Sequence, residues 1–170
     1  IGHQLIELKI PRYYAVFLNQ STSLELRDRE VRRALDAATN RDRLVEIALG
    51  ALGEPVGGPL YPGIEGYDAE IGSGERFSLE DAEAFLEEAG WKLGEDGVRT
   101  KRVSDGELRL AFDLVVPDID FLKRSSELLV EDWAKIGITV NRLILSPTEV
   151  ANDIIKSRNY QMLLFGNILK

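Results

Sequence analysis

Two pairs of neighbouring carboxylates, Glu87 with Glu88 and Asp118 with Asp120, are the side chains best suited by type and spacing to chemistry. Paired carboxylates act as acid and base in glycoside hydrolysis when they converge in a cleft at a separation of roughly 5 to 9.5 Å. Each pair here falls on a predicted helix start or a solvated helix face, so both pairs read as structural rather than catalytic. Asp118 and Asp120 also lack the further spaced ligands and the turn glycine of a calcium loop. His3 is the only histidine and belongs to the N-terminal segment, which makes it a poor general base. The absence of cysteine removes disulfide frameworks, thiolate zinc sites and cysteine nucleophiles together. Gly50, Gly53, Gly57 and Gly58 are not followed by Gly-Lys-Ser/Thr and come after a helix pattern, so they do not make a phosphate loop. Asn19-Gln20-Ser21 is a glycosylation triplet of the kind that arises by chance. Trp91 and Trp133 are candidate ligand platforms, but Trp133 falls on a helical core stripe and Trp91 directly follows a helix stop, so both read as packing residues. No enzyme, metal or cofactor is expected from this inventory.

The elements that must carry these residues can be read from hydrophobic period and punctuation. Residues 5–19 predict two short strands broken at Pro11, the second holding Tyr13 to Leu18. Asp28 is an N-cap for a helix burying Val31, Ala34, Leu35 and Ala38. Asn40 caps a second helix, which Gly50 stops. Residues 50–74 form a long irregular stretch rich in glycine and proline. Ser78 with Asp81 caps a helix over 79–89, closed by Gly90. From Glu107 the period is two, with Leu108, Leu110, Phe112, Leu114 and Val116 on one side, which predicts one continuous strand. A long helix over 119–136 buries Leu122, Leu129, Trp133 and Ile136 and ends at Gly137. A strand over 138–145 follows. Ser146, Pro147 and Glu149 make a capping box with proline at the first helical position, for a helix running to about Ser157. Residues 160–165 predict the last strand. The alternation implies βαβ units, hence an α/β fold with a mixed, largely parallel sheet flanked by helices and buried on both faces.

The 170 residues, 44% hydrophobic and 29% charged, suit one domain over 1–170 that buries roughly 70% of the surface its unfolded chain exposes. A net charge of -8 argues against a nucleic-acid surface and against binding to anionic membranes. No apolar run approaches the ~18 residues of a membrane span. The chain begins at Ile1, which predicts a piece of a longer protein or a processed terminus.

Several segments, taken in order, carry a family resemblance. They are Tyr14-Ala15-Val16-Phe17-Leu18-Asn19, then Val31-Arg32-Arg33-Ala34-Leu35 running to Asn40-Arg41-Asp42-Arg43-Leu44-Val45, and then Gly50 with Gly53-Glu54-Pro55 and Gly58-Pro59-Leu60. Ser78-Leu79-Glu80-Asp81-Ala82 follows, running to Leu86-Glu87-Glu88-Ala89-Gly90-Trp91. Trp133 to Ile138 and Arg158 to Gly166 complete the set. This ordered set resembles the oligopeptide, dipeptide and nickel solute-binding proteins that feed ATP-binding-cassette importers, over about Tyr13 to Gly166.

The resemblance implies one lobe of a two-lobed, periplasmic-binding-protein-like clamp. This chain would be most of the second lobe, excised from a longer extracytoplasmic receptor, periplasmic or a cell-surface lipoprotein. The implied partners are a peptide or other small solute, the membrane permease of an importer and the missing first lobe, with dimerisation possible through the uncovered cleft face. The strand near Tyr14 and the strand near Gly166 would be hinge crossings, so the two chain ends should lie side by side. Ligand sites in open α/β sheets gather beyond strand ends. That directs attention to Phe17 and Asn19, to the helix start at Ser146, Thr148 and Glu149, and to Phe165, Gly166 and Asn167. In peptide-binding members a tryptophan follows the glycine and an aspartate comes soon after; here Asn167 follows Gly166 and neither residue can be assigned. The alternative reading is a stand-alone interaction or regulatory domain without catalysis.

Overall fold

The computed structural model describes residues 12–50, 52–58, 60, 65–68 and 75–168. His3 and the first predicted strand lie outside them, as does part of the glycine-rich stretch. Among the described residues of that stretch there is no helix or strand.

The chain runs β1 (Arg12–Leu18), a 3-10 turn (Glu25–Arg27), α1 (Arg29–Ala37), α2 (Arg41–Leu49), α3 (Leu79–Glu88), β2 (Lys92–Leu93), β3 (Arg99–Val103), β4 (Gly106–Arg109), β5 (Ala111–Pro117), α4 (Asp120–Ala134), β6 (Thr139–Leu145), α5 (Pro147–Glu149), a π-helical turn (Val150–Ile155) and β7 (Met162–Ile168). The larger sheet has the order β1-β7-β5-β6. Its β5 is parallel to both β6 and β7, and β1 is antiparallel to β7. The mixed, largely parallel sheet expected from the sequence is therefore present.

Side-chain capping sets the helix starts as the sequence predicted. Asp28 accepts from the Glu30 N–H, Asn40 from Arg43 and Ser78 from Asp81. Gly50 stops α2 in the left-handed conformation at φ 55°. One sheet face is covered by α1, α3 and α4. There Val31, Leu35, Leu86, Leu122, Leu129 and Trp133 meet Phe112, Leu114, Val116, Met162 and Leu164 in one cluster. Both tryptophans are structural: the Trp91 indole donates to Asp28 Oδ2 at 3.0 Å, and the Trp133 indole donates to the Leu35 carbonyl and Thr39 Oγ1 at 3.1 Å each. The opposite face carries a smaller cluster in which Val150 from the π-helical turn packs on Val115 and Leu163. That face is only partly covered, since Asp113, Asn141 and Leu143 stay exposed; burial on both faces, as predicted, holds only in part.

The strand predicted from Glu107 to Val116 is two strands in two sheets. β4 belongs to a three-stranded antiparallel sheet, β2-β3-β4, and β5 to the larger sheet. Leu110 is the join. Its N–H donates to the Arg99 carbonyl at 2.9 Å, and its carbonyl accepts from the Thr139 N–H at 3.0 Å. Alternation passes through this switch unbroken, because Leu110, like Phe112, still points into the main core.

Candidate functional site

The parallel strands β5, β6 and β7 all end on one edge of the sheet, and β1, being antiparallel, begins there. The connections that leave β5 and β6 go to opposite faces, into α4 over the main core and into α5 and the π-helical turn over the smaller cluster. Two neighbouring strands whose connections diverge in this way open a crevice at their carboxyl ends, where open α/β sheets bind ligands. Pro117, Asp118 and Ile119 lie at the end of β5 on one side of this position, and Leu145 and Ser146 at the end of β6 on the other. The Asp118 N–H, which donates to the Leu145 carbonyl at 2.7 Å, ties the two together.

The crevice is polar at its corners and apolar along its lip. Lys123 Nζ lies 2.7 Å from Asp118 Oδ1 and 3.1 Å from Asp120 Oδ1. Hydrogen bonds to both carboxylates raise the Lys123 pKa above its ordinary value, so the corner holds one cation between two anions. At the other wall Ser146 and Glu149 cap each other. The Ser146 N–H donates to Glu149 Oε2 at 2.9 Å, and the Glu149 N–H donates to Ser146 Oγ at 3.3 Å. The hydrogen bonds that Glu149 receives from Ser146 hold its carboxyl below the ordinary carboxylate value. Tyr14, Ile119 and Ile144 are large apolar residues left exposed at this edge.

Ser146, Thr148 and Glu149 follow β6 at the rim and are exposed. Gly166 and Asn167 reach it through β7, paired with Tyr14 and Tyr13. Phe165 sits one step below, half-buried on the smaller cluster. Phe17 packs on that same cluster but is paired with Leu163, deeper in the sheet. Asn19 is at the opposite edge and is occupied with a turn. Its N–H donates to the Gln161 carbonyl at 2.8 Å, its Nδ2 to the Arg158 carbonyl at 2.9 Å, and its Oδ1 accepts from the Ser21 N–H at 3.0 Å. The structure thus gathers Ser146, Thr148, Glu149, Phe165, Gly166 and Asn167 but leaves Phe17 and Asn19 apart from them. The cause is strand direction: the end of an antiparallel β1 lies beside the start of β7.

Sequence reasoning missed Tyr14, Ile119 and Lys123 as rim residues. For Ile119 and Lys123 the usable signal was the end of the β5 pattern at Pro117, since loops beyond parallel strand ends line the crevice. Of the carboxylates considered for catalysis, Glu87 is paired with Arg99 at 3.4 Å, and Asp118 and Asp120 share Lys123 at the rim. Shallow depressions lie away from this rim, one between Thr39, Arg41 and Phe77 and one at the far edge of the sheet, where Asn141 Nδ2 donates to Asp113 Oδ1 at 2.8 Å and the Asp113 N–H donates to Gln161 Oε1 at 2.8 Å.

Comparison with known proteins places this arrangement. The model of the bacterial extracellular solute-binding proteins, family 5 Middle, matches residues 5–169. A protein of Streptomyces lividans called XP55 is 39% identical over 115 residues, which is 66% of this chain and 20% of the relative. A probable ABC transporter-binding protein of Deinococcus radiodurans is 27% identical over 142 residues, 79% of this chain and 23% of the relative. The chain therefore spans about a fifth of the length of the curated relatives it matches. Among solved structures, the oligopeptide-binding protein AppA of Bacillus subtilis, in complex with a nonapeptide, superposes with a TM-score of 0.82 at 24% identity, over 94% of this chain and 32% of that one.

Proposed function

The chain belongs to the bacterial extracellular solute-binding proteins of family 5, and on that premise we propose that it is one lobe of the substrate-binding component of an ABC importer, with peptides as the ligand class. The observation that carries this reading is the pairing of Arg12 with Ile168 on the same edge as the β5–β6 crevice. A lobe joined to the rest of a receptor by two adjacent crossings needs its entering and leaving strands side by side at the ligand-facing edge, and β1 and β7 supply that arrangement. The exposed Tyr14, Ile119 and Ile144 suit an edge that a second lobe covers on closure.

In this reading the protein binds and does not catalyse. Ser146, Thr148, Glu149, Phe165, Gly166 and Asn167 supply this lobe's share of the site, and Asn167 stands where peptide-binding members have a tryptophan. The receptor works outside the cytoplasm and delivers its solute to a membrane permease. The lobe alone binds its ligand weakly, because closure normally buries a ligand from both sides.

Native mass spectrometry of the full-length protein, purified without denaturation, tests the reading. A ladder of bound masses separated by amino-acid residue increments is the expected result. A single non-peptide mass would keep the receptor and replace its ligand class. An empty protein that also stays empty after incubation with mixed peptides would favour the alternative, a stand-alone interaction domain. Micromolar peptide binding by the isolated 170-residue chain would overturn the claim that this lobe needs its partner.

A further inference from the structure

Gly166 is a glycine for a reason that its own backbone does not supply. It lies in β7 without a positive φ, so conformation does not demand it. Its cross-strand partner is Tyr14, whose ring lies over the glycine. A methyl group built on Gly166 would meet Tyr14 Cδ1 at 2.6 Å, well inside contact distance. An aromatic ring laid across a facing glycine covers backbone that no side chain would otherwise protect. The same ring meets Phe121, in the first turn of α4, edge to face, with centroids 4.9 Å apart and planes at 80°. One side chain from β1 thus touches both β7 and α4 at the rim.

We propose that Tyr14, Gly166 and Phe121 form a latch that holds the rim-ward ends of β1 and β7 on the start of α4. The strand pair and the wall of the crevice then move as one body. Among the described residues β1 is an edge strand paired with β7, and Tyr14 adds a side-chain contact to α4 at this end of it. The latch does not depend on what the rim binds, and its failure would leave the binding reading standing.

Hydrogen–deuterium exchange on the 170-residue chain, resolved to short peptides, tests it. In Gly166→Ala the added methyl displaces the Tyr14 ring, and amides of 12–14 and 165–168 should exchange roughly tenfold faster while those of Leu114 to Val116 keep their protection. Phe121→Ala should speed the same strand amides as well as the start of α4. In a Tyr14→Ala background the steric conflict is gone, and adding Gly166→Ala should change nothing further. This last comparison also decides the matter if Gly166→Ala alone does not fold. Unchanged rim exchange in Gly166→Ala, an equal increment with and without Tyr14, or a uniform rise that includes β5 would each overturn the latch.

Discussion

Asp132 on α4, with only 1% of its side chain exposed, holds Arg43 of α2 through a 3.0 Å contact between Oδ1 and Nη1. Its other oxygen, Oδ2, accepts the Asn40 N–H at 3.2 Å, so one buried carboxylate both fixes α2 against α4 and satisfies a donor at the start of α2. No residue of α2 is itself buried, so this helix depends on polar anchoring more than its neighbours do. Removing the anion leaves a desolvated donor and a half-buried guanidinium with fewer partners. Asp132→Ala should destabilise the chain by about 2–3 kcal/mol, and Asp132→Asn by less. Urea unfolding of the two variants checks both the size and the order.

Asp28 gives stability a dependence on pH. Burial alone would raise its pKa, but hydrogen bonds from the Trp91 indole, Lys101 and the Glu30 N–H outweigh it and hold the carboxyl below its ordinary value. A carboxylate depressed in the folded state contributes stability that is fully present above its unfolded pKa and is lost as pH falls through the folded one. The contribution of Asp28 should therefore be constant from neutral pH down to about pH 5 and fade below about pH 4. Unfolding free energies measured from pH 7 to pH 2.5 should fall less steeply at the acid end in Asp28→Asn. Parallel curves would show that Asp28 is not the group responsible.

Gly137 ends α4 at φ 82°, and a methyl group there would also meet Arg99 Cγ and Leu93 Cδ1 at 2.8 Å each. Conformation and space both exclude a side chain, so Gly137→Ala should cost about 2 kcal/mol or more. Arg99 is itself buried, donating to the Ile136 and Trp91 carbonyls at 2.9 and 3.0 Å, so it has little room to yield. A fall in melting temperature measured by circular dichroism would show the effect; an unchanged transition would mean that the β2–β3 edge moves aside freely.

Arg158 is the opposite case, a non-glycine residue at φ 54°. Its side chain gains nothing from the left-handed conformation, while its carbonyl serves the turn by accepting from Asn19. Arg158→Gly removes the steric penalty and keeps the carbonyl, and should raise stability by about 0.5–1 kcal/mol. Asn19→Ala should offset that gain, which a double-mutant cycle on thermal unfolding can read.

The readings that succeeded from sequence were local. Asp28, Asn40, Ser78 and Ser146 announce helix starts through their own side chains, and Gly50 marks a stop through its lack of one. Less legible was anything decided by a partner distant in the chain. The direction of β1 relative to β7 moved Phe17 and Asn19 away from the rim, and no residue near them encodes that direction. The small sheet escaped notice because Lys92–Leu93 is two residues long and Arg99–Val103 is largely charged. Asp96-Gly97 and Asp105-Gly106 were the turn signals that mark its hairpins. The π-helical turn after Glu149 left no mark in the apolar pattern, and the helix still runs to Ser157 as its spacing predicted.

The pairing of Arg12–Leu18 with Met162–Ile168 joins segments from nearly opposite ends of the sequence. Contacts so distant along a chain repay the entropy of closing the intervening loop only after the shorter-range units have formed. The β3–β4 hairpin and the β5–α4–β6 unit are such units, so β1 should dock last, and during synthesis it must wait as an unpaired strand until β7 has been made. The rim that carries Tyr14 and Gly166 is thus the final part of this chain to mature.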